Sequence, residues 1–208
     1  MACRVQVFAR APVSGEAKTR LIPRLGADGA AAMQSTLTER ALAVALDSGI
    51  GAVELWCSPD RSHPTFAAHQ HNGITLRNQG EGNVGVRMHR ALSSALRAVD
   101  RAVLIGSDCP SLTARDLRDA AAALELGADV ALVPAEDGGY VLIAARTSPH
   151  YLFDGIDWGT GRVMEQTRAR LRKLELTWHE LEPRWDIDRP EDYDRLLREH
   201  PQILDKHP

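Results

Sequence analysis

Short apolar, β-branched runs recur along the chain at Val5 to Ala9, Ala52 to Cys57, Ile74 to Arg77, Ala102 to Ile105, Val130 to Val133 and Tyr140 to Ala144. Each has the length and composition of a buried strand. Between them lie segments of helical period: Met33, Leu37, Ala41 and Val44; Met88, Leu92, Ala95 and Val99; Leu117, Ala121 and Leu124. Thr113, followed three residues later by Asp116, reads as a capping box opening the third of these helices, and Gly127 stands where it should stop. Alternation of this kind predicts an α/β fold: a Rossmann-like, mostly parallel sheet with helices on both faces, where right-handed crossovers put them. Open sheets of this class bind ligands at the carboxyl ends of their strands. The residues just after each strand therefore deserve the closest reading.

Past Ala144 the alternation stops. Asp154 to Thr160 reads as a loop, followed by a helix carrying Val163, Met164, Thr167, Leu171 and Leu174, a further strand within Leu176 to Leu181, and a final helix opened by Pro190 and running through Leu196 and Leu197. With no repeat or linker, residues 1–208 are expected to form one domain, which suits 208 residues of which 44% are apolar and 25% charged. A net charge of −3 gives no basic surface for nucleic acid. No apolar run approaches the roughly 18 to 20 residues of a membrane span, and Met1 to Phe8 enters a strand pattern without the features of a secretory signal. Cys3, Cys57 and Cys109 are widely spaced and read as reduced thiols. These features together predict a cytoplasmic protein with no nucleic-acid or membrane partner; a homodimer is the commonest assembly where one exists.

Four segments carry candidate chemistry. The loop after the first strand holds Arg10, Lys18, Arg20 and Arg24 against one acid, Glu16, with Gly15 available for a tight turn. Lys supplies a point charge and Arg a bidentate fork, so Arg10, Gly15, Lys18 and Arg20 are candidate phosphate ligands; a solvated basic turn is the competing reading. Gly106-Ser107-Asp108-Cys109-Pro110 follows a strand directly, which aims the Asp108 carboxylate into the crevice as a ligand for Mg²⁺ or Mn²⁺; an Asx-turn is the alternative. Cys109 reads as a packed thiol rather than a nucleophile. Asp137-Gly138-Gly139-Tyr140 is a hairpin signal whose glycines also let a ligand approach the backbone, giving Asp137, Gly138 and Gly139 as pocket candidates.

In the fourth segment, Trp185-Asp186-Ile187-Asp188-Arg189-Pro190-Glu191-Asp192, an extended backbone puts Asp186 and Asp188 on one face. Two close carboxylates require a cation or a proton, which makes both metal candidates, although Asp188 with Glu191 also reads as a helix cap before Pro190. Trp158 is a candidate for stacking on a base or sugar, with a buried aromatic as the commoner role. His63, His69, His71 and His89 lack zinc-site spacing, His69 and His71 falling in a polar, loop-like stretch, and no G-x-S-x-G elbow occurs.

Taken in order, Phe8 to Pro12 with Gly15 to Leu21, Gly106 to Pro110, Asp137 to Tyr140 and Asp186 to Asp192 resemble the bacterial family of domain of unknown function 2064, also described as an arsenosugar-biosynthesis-type glycosyltransferase family. The resemblance implies a GT-A, or nucleotide-diphospho-sugar transferase, fold. On that pattern Asp108 takes the metal, Lys18 and Arg20 the phosphates, and Asp186 or Asp188 supplies a second carboxylate. Similar segments in 2-phospho-lactate and molybdenum-cofactor guanylyltransferases point toward nucleotidyl transfer instead. Two departures stand out: Arg189 occupies a position before Pro190 that is often Thr, and Gly106-Ser107-Asp108 lacks a full D-x-D triplet. The leading expectation is a metal-dependent transferase taking a nucleotide sugar and a small-molecule acceptor. A nucleotidyltransferase using a nucleoside triphosphate is the alternative, and a non-catalytic nucleotide-binding protein a third.

Overall fold

The computed structural model of the protein describes residues 2–70 and 73–204. Its strands are β1 (Cys3–Arg10), β2 (Ala52–Ser58), β3 (Thr75–Asn78), β4 (Arg101–Gly106), β5 (Val130–Pro134), β6 (Tyr140–Ala145) and β7 (Trp178–Glu180). The helices are α1 (Ile22–Ser48), α2 (Pro64–Gln70), α3 (Val84–Leu96), α4 (Ala114–Glu125), α5 (Val163–Lys173) and α6 (Pro190–Glu199). One sheet results, in the order β3-β2-β1-β4-β6-β5-β7, in which β6 runs antiparallel to both neighbours and every other pairing is parallel. The expected α/β architecture is therefore present. So is the hairpin signalled by Asp137-Gly138-Gly139, which joins β5 to β6.

Alternation along the strands sends side chains to two cores. Val5, Val7, Val103, Ile105, Ala131 and Val133 pack with Leu42, Leu117 and Leu124 on one face, while Phe8, Trp56, Leu104, Leu132 and Ile143 pack with Met88, Leu92 and Leu171 on the other. Thr113 and Asp116 form the predicted capping box on α4, and Gly127 takes the left-handed conformation (φ 112°) that ends it. Strand β7 lies within the predicted Leu176 to Leu181 run.

Two local expectations need correction. The polar stretch around His69 is helical: Pro64 starts α2, and Phe66 anchors it in the core. His71 lies outside the described residues. Asp188 does not cap the last helix, because Arg189 occupies the cap position and Asp192, three residues into the turn, accepts from the backbone N–H groups of both Asp188 and Arg189. The reciprocal half of a capping box thus works without a side-chain acceptor at the cap.

After β7 the chain runs as a strap across the carboxyl ends of β5 and β4. Arg184 N–H donates to the Pro134 carbonyl, Trp185 N–H to Ser111 Oγ, and Ile187 N–H to the Asp108 carbonyl. The Arg184 guanidinium forks onto buried Asp116, with Nε 3.2 Å from Oδ2 and Nη2 2.6 Å from Oδ1. Burial opposes charge on Asp116, but hydrogen bonds from Arg184 and Thr113 outweigh it and hold the carboxyl below its ordinary pKa. The stability this contributes is present above the unfolded carboxylate pKa and is lost as pH falls through the folded one. Arg184→Met is accordingly expected to lower stability by roughly 2–4 kcal/mol at pH 7 in urea unfolding, with the difference shrinking below about pH 4. An unchanged urea midpoint would mean that the strap is held by its backbone bonds alone.

Candidate functional site

In the loop after β1, Gly15 turns the backbone at φ 80° with open space around it. Three residues on, Lys18 sits in the left-handed region at φ 47°, ψ 43°, a conformation unfavourable for a side-chain-bearing residue. That geometry drives its side chain inward until only 5% of it is exposed. The ammonium lies 2.8 Å from Asp108 Oδ1 and donates to the Ile187 carbonyl at 2.6 Å. Three of the four motifs thereby meet at one nitrogen.

Within the strap, Trp185 and Ile187 are buried on one side while Asp186 and Asp188 face the other, as an extended backbone requires. Their environments nevertheless diverge. Burial, followed by the charges of Asp137 and Asp108 and offset in part by a backbone hydrogen bond and then by Lys18, pushes the Asp186 carboxyl up to about 6. Asp188 instead pairs with Arg20, both partners being about half exposed or more. Asp108, Asp137 and Asp186 are thus an electrostatically coupled trio, and Asp188 is bound to a cation of its own. Cys109 is buried, and burial pushes its thiol up to about 11, which accords with a packed residue.

A cavity of about 590 Å³ opens beside Lys18 and Asp108, with Arg10, Arg20 and Asp188 also on its walls. Among the described residues the Arg10 guanidinium has no protein partner. A second recess of about 280 Å³ shares Arg20, Val84, Met88, Tyr140 and Asp188 with the first and adds Asp137, Gly139 and Trp158. Trp158 is partly buried, edge-on to Tyr140, and so close to Gly85 that a Cβ there would come within 2.6 Å of the indole. Gly138 lines neither space; a Cβ there would lie 2.2 Å from the Gly161 carbonyl oxygen, so its role is to let the hairpin turn pack beneath α5. Asp186 also contributes no wall to either cavity.

Sequence reasoning passed over one side of the larger cavity. Ser58, Gln79 and Arg87 line it from the carboxyl ends of β2 and β3 and from the start of α3. The available signal was Gln79-Gly80-Glu81-Gly82-Asn83-Val84-Gly85, a glycine-rich link from strand to helix in which Gly80 and Gly82 adopt positive φ and Asn83 caps α3.

A protein-family profile matches residues 41–160, more than half of the chain; the family is described as an uncharacterized protein conserved in bacteria, domain of unknown function 2064. The chain belongs to this family. The matched stretch of the family includes Gln79, Asp108, Asp137 and Trp158, whereas the Lys18 loop and the strap lie outside it. No curated protein matches the chain. Among solved structures, a candidate nucleotide-diphospho-sugar transferase from Desulfovibrio desulfuricans G20 is 26% identical with a TM-score of 0.83, over 100% of this chain and 99% of that one. The fold is also shared, at 15% identity and a TM-score of 0.60 over 97% and 99% of the two chains, with CMP:2-keto-3-deoxy-manno-octonic acid synthetase in complex with CTP. A Mycobacterium tuberculosis H37Rv protein in complex with manganese is 18% identical, with a TM-score of 0.57 over 96% of this chain and 100% of that one. The fold of nucleotide-diphospho-sugar transferases, expected from the sequence, is therefore shown.

The raised Asp186 carboxyl stabilises the protein fully below the unfolded pKa near 4, and that contribution is lost as pH rises through about 6. Ionised Asp186 is consequently a liability at neutral pH. Asp186→Asn is expected to stabilise the metal-free protein by on the order of 2 kcal/mol at pH 7.5, a Tm rise of about 4–8 °C, with little difference at pH 4. A variant no more stable than wild type at pH 7.5 would contradict this account of the carboxylate trio.

Proposed function

We propose that the chain is a divalent-metal-dependent transferase that moves a glycosyl group from a nucleotide sugar to a small-molecule acceptor. The observation that carries this reading is Asp108, set by β4 at the mouth of the β1–β4 crevice, touching Lys18, and sharing a cavity with Arg10 and Arg20. A diphosphate leaving group develops negative charge as its bond to the sugar breaks, and fixed cations in a partly enclosed crevice are an effective way to stabilise it. The new bond forms between the acceptor oxygen and the anomeric carbon, while the diphosphate departs with the electron pair of the broken bond. Asp137, on the recess wall, is the carboxylate assigned here to take the acceptor's proton.

Asp108, on the cavity wall, is a hard oxygen donor suited to Mg²⁺ or Mn²⁺, to which Asp186, lining neither cavity, would add a second carboxylate; such an ion would supply charge neutralisation at the phosphates. Among the described residues no cluster of three or more His, Cys, Asp or Glu side chains forms a self-sufficient metal cage. Because Lys18 is at Asp108 Oδ1 in the free protein, metal and nucleotide are expected to bind together: a phosphate would give the Lys18 ammonium another acceptor, and Asp108 would be left to hold the ion. Asp188, engaged by Arg20, is the weaker of the three proposed metal ligands.

A nucleotidyltransferase reading uses the same groups, with pyrophosphate leaving from a nucleoside triphosphate. It is favoured by the unpartnered Arg10 beside Lys18 and Arg20, a third cation for a third phosphate, and by the CTP-bound synthetase among the proteins of this fold. Release of nucleoside diphosphate from a nucleotide sugar supports the first reading, and release of pyrophosphate from a triphosphate the second. In either case Asp108→Asn is expected to lower turnover by about 10²-fold or more, and Mn²⁺ titrated alone should bind far more weakly than Mn²⁺ titrated with a nucleoside diphosphate. Full activity in the Asp108 variant, or turnover unaffected by chelation, would overturn the metal-assisted mechanism.

A further inference from the structure

On the far side of the cavity from Asp108, Gln79 is only 5% exposed, and all but one of its polar atoms are occupied. Its backbone N–H donates to the Cys57 carbonyl, and its own carbonyl accepts from Arg90 Nη1. Its side-chain Nε2 donates to two backbone carbonyls, Ala9 on β1 at 3.2 Å and Trp56 on β2 at 2.9 Å. Carbonyl oxygens accept and never donate, so the amide cannot flip: the nitrogen must face the strands, and Oε1 is directed away from them. Among the described residues Oε1 has no partner, and Gln79 is part of the cavity wall. A donor on the same cavity wall is also oriented, by one good hydrogen bond and one long one. Arg87 gives Nε to the Gly82 carbonyl at 2.8 Å and Nη1 to Ser58 Oγ at 3.4 Å, which leaves Nη2 without a protein partner.

We infer that Gln79 determines nucleobase specificity, its Oε1 accepting from an N–H on the base edge while Arg87 donates to the acceptor beside it. This rests on the nucleotide reading above and adds which end of the cavity takes the base. The argument is one of reach and chemistry. The Gln79 amide is held over the β1–β2 edge, so from β4, where Asp108 and Lys18 meet, it lies between one and two strand spacings away along the sheet, about 5–10 Å. With the diphosphate at the cationic end, a nucleoside extends toward the end that offers one fixed acceptor and one fixed donor. A sugar or phosphate does not require that pairing; the edge of a nucleobase presents its complement. A site built to hydrogen-bond a particular N–H rejects a ligand lacking it, because the protein acceptor is then left unpaired.

The test measures binding of inorganic pyrophosphate and of the four common nucleoside diphosphates, each with Mg²⁺, to wild type and Gln79→Met. Wild type is expected to prefer one base by about tenfold or more. In the variant that preference should fall to within a few-fold, while pyrophosphate affinity, which reports an intact fold and cationic end, stays unchanged. Should the variant fail to fold, the preferred nucleotide methylated at its edge N–H is compared with its parent on wild type, and a loss of the same size is expected. A preference that survives in a variant with normal pyrophosphate binding overturns the inference, as does methylation without effect. Wild type binding all four bases equally refutes the role of Gln79 alone, whereas wild type binding neither nucleotide nor pyrophosphate removes the nucleotide reading as well.

Discussion

The position of β1 between β2 and β4 is the constraint on which the rest of the structure depends. Leaving β1, the chain crosses to one side and builds β2 and β3; it then returns past β1 to build β4. Where connections diverge in this way, no crossover covers the strand ends and a crevice opens. Both walls are fixed by the sheet: Ser107 N–H donates to the Phe8 carbonyl across the β1–β4 edge, and Gln79 N–H to Cys57 across the β2–β3 edge. The hydrophobic faces therefore do more than stabilise the sheet. By packing Val5, Val7 and Ile105 beneath one side and Phe8 and Leu104 beneath the other, they hold the loop residues in register at the rim.

Charge inside the crevice is balanced at a cost to stability. Asp186 is kept near Asp108 and Asp137 although burial and both neighbours oppose its ionisation, and a backbone hydrogen bond followed by the ammonium of a left-handed Lys18 offsets them only in part. A sequence under selection for stability alone has simpler solutions, such as Asn at 186 or Gly at 18. An unfavourable backbone angle and an unfavourable carboxylate thus coincide in one place, which agrees with the proposed metal and phosphate site. Structural ion pairs elsewhere in the molecule show the contrast: Asp116, also buried, is fully compensated by Arg184 and Thr113, and its carboxyl is held down rather than pushed up.

Much of this was legible in the sequence because it depends on local pattern. Period and capping gave the strands, the α4 box and the β5–β6 hairpin; alternation separated Asp186 and Asp188 from Trp185 and Ile187. What pattern could not give was the choice of partner. Asp186 and Asp188 are equivalent in an extended segment, and only tertiary packing sends one to the Asp108 side and the other to Arg20. The cap before Pro190 failed for a related reason, since side-chain acceptors three residues apart are common and Asp192 was as well spaced as Asp188 to satisfy the free N–H groups. Helix α2 was missed because a seven-residue helix has too few turns to show a period, and Phe66 is its single buried residue.

Gln79 was overlooked because its significance lies in what its neighbours consume. The glycine-rich link that it opens marks a turn and not a role for its side chain, yet Ala9 and Trp56, distant in sequence and adjacent in the sheet, take both amide protons and leave the oxygen committed to one direction. The two ends of the cavity thus obey different physics. At β1 and β4, side chains meet through charge, which is strong and tolerant of small displacements; the proposed phosphate contacts need only that. At β2 and β3, Gln79 and the Arg87 guanidinium are oriented by hydrogen bonds to backbone carbonyls, and fixed orientation is what discrimination between similar ligands requires. A cavity joining a cationic end to an orientation-locked end is therefore suited to bind a class of molecules by the part they share and to select among them by the part in which they differ.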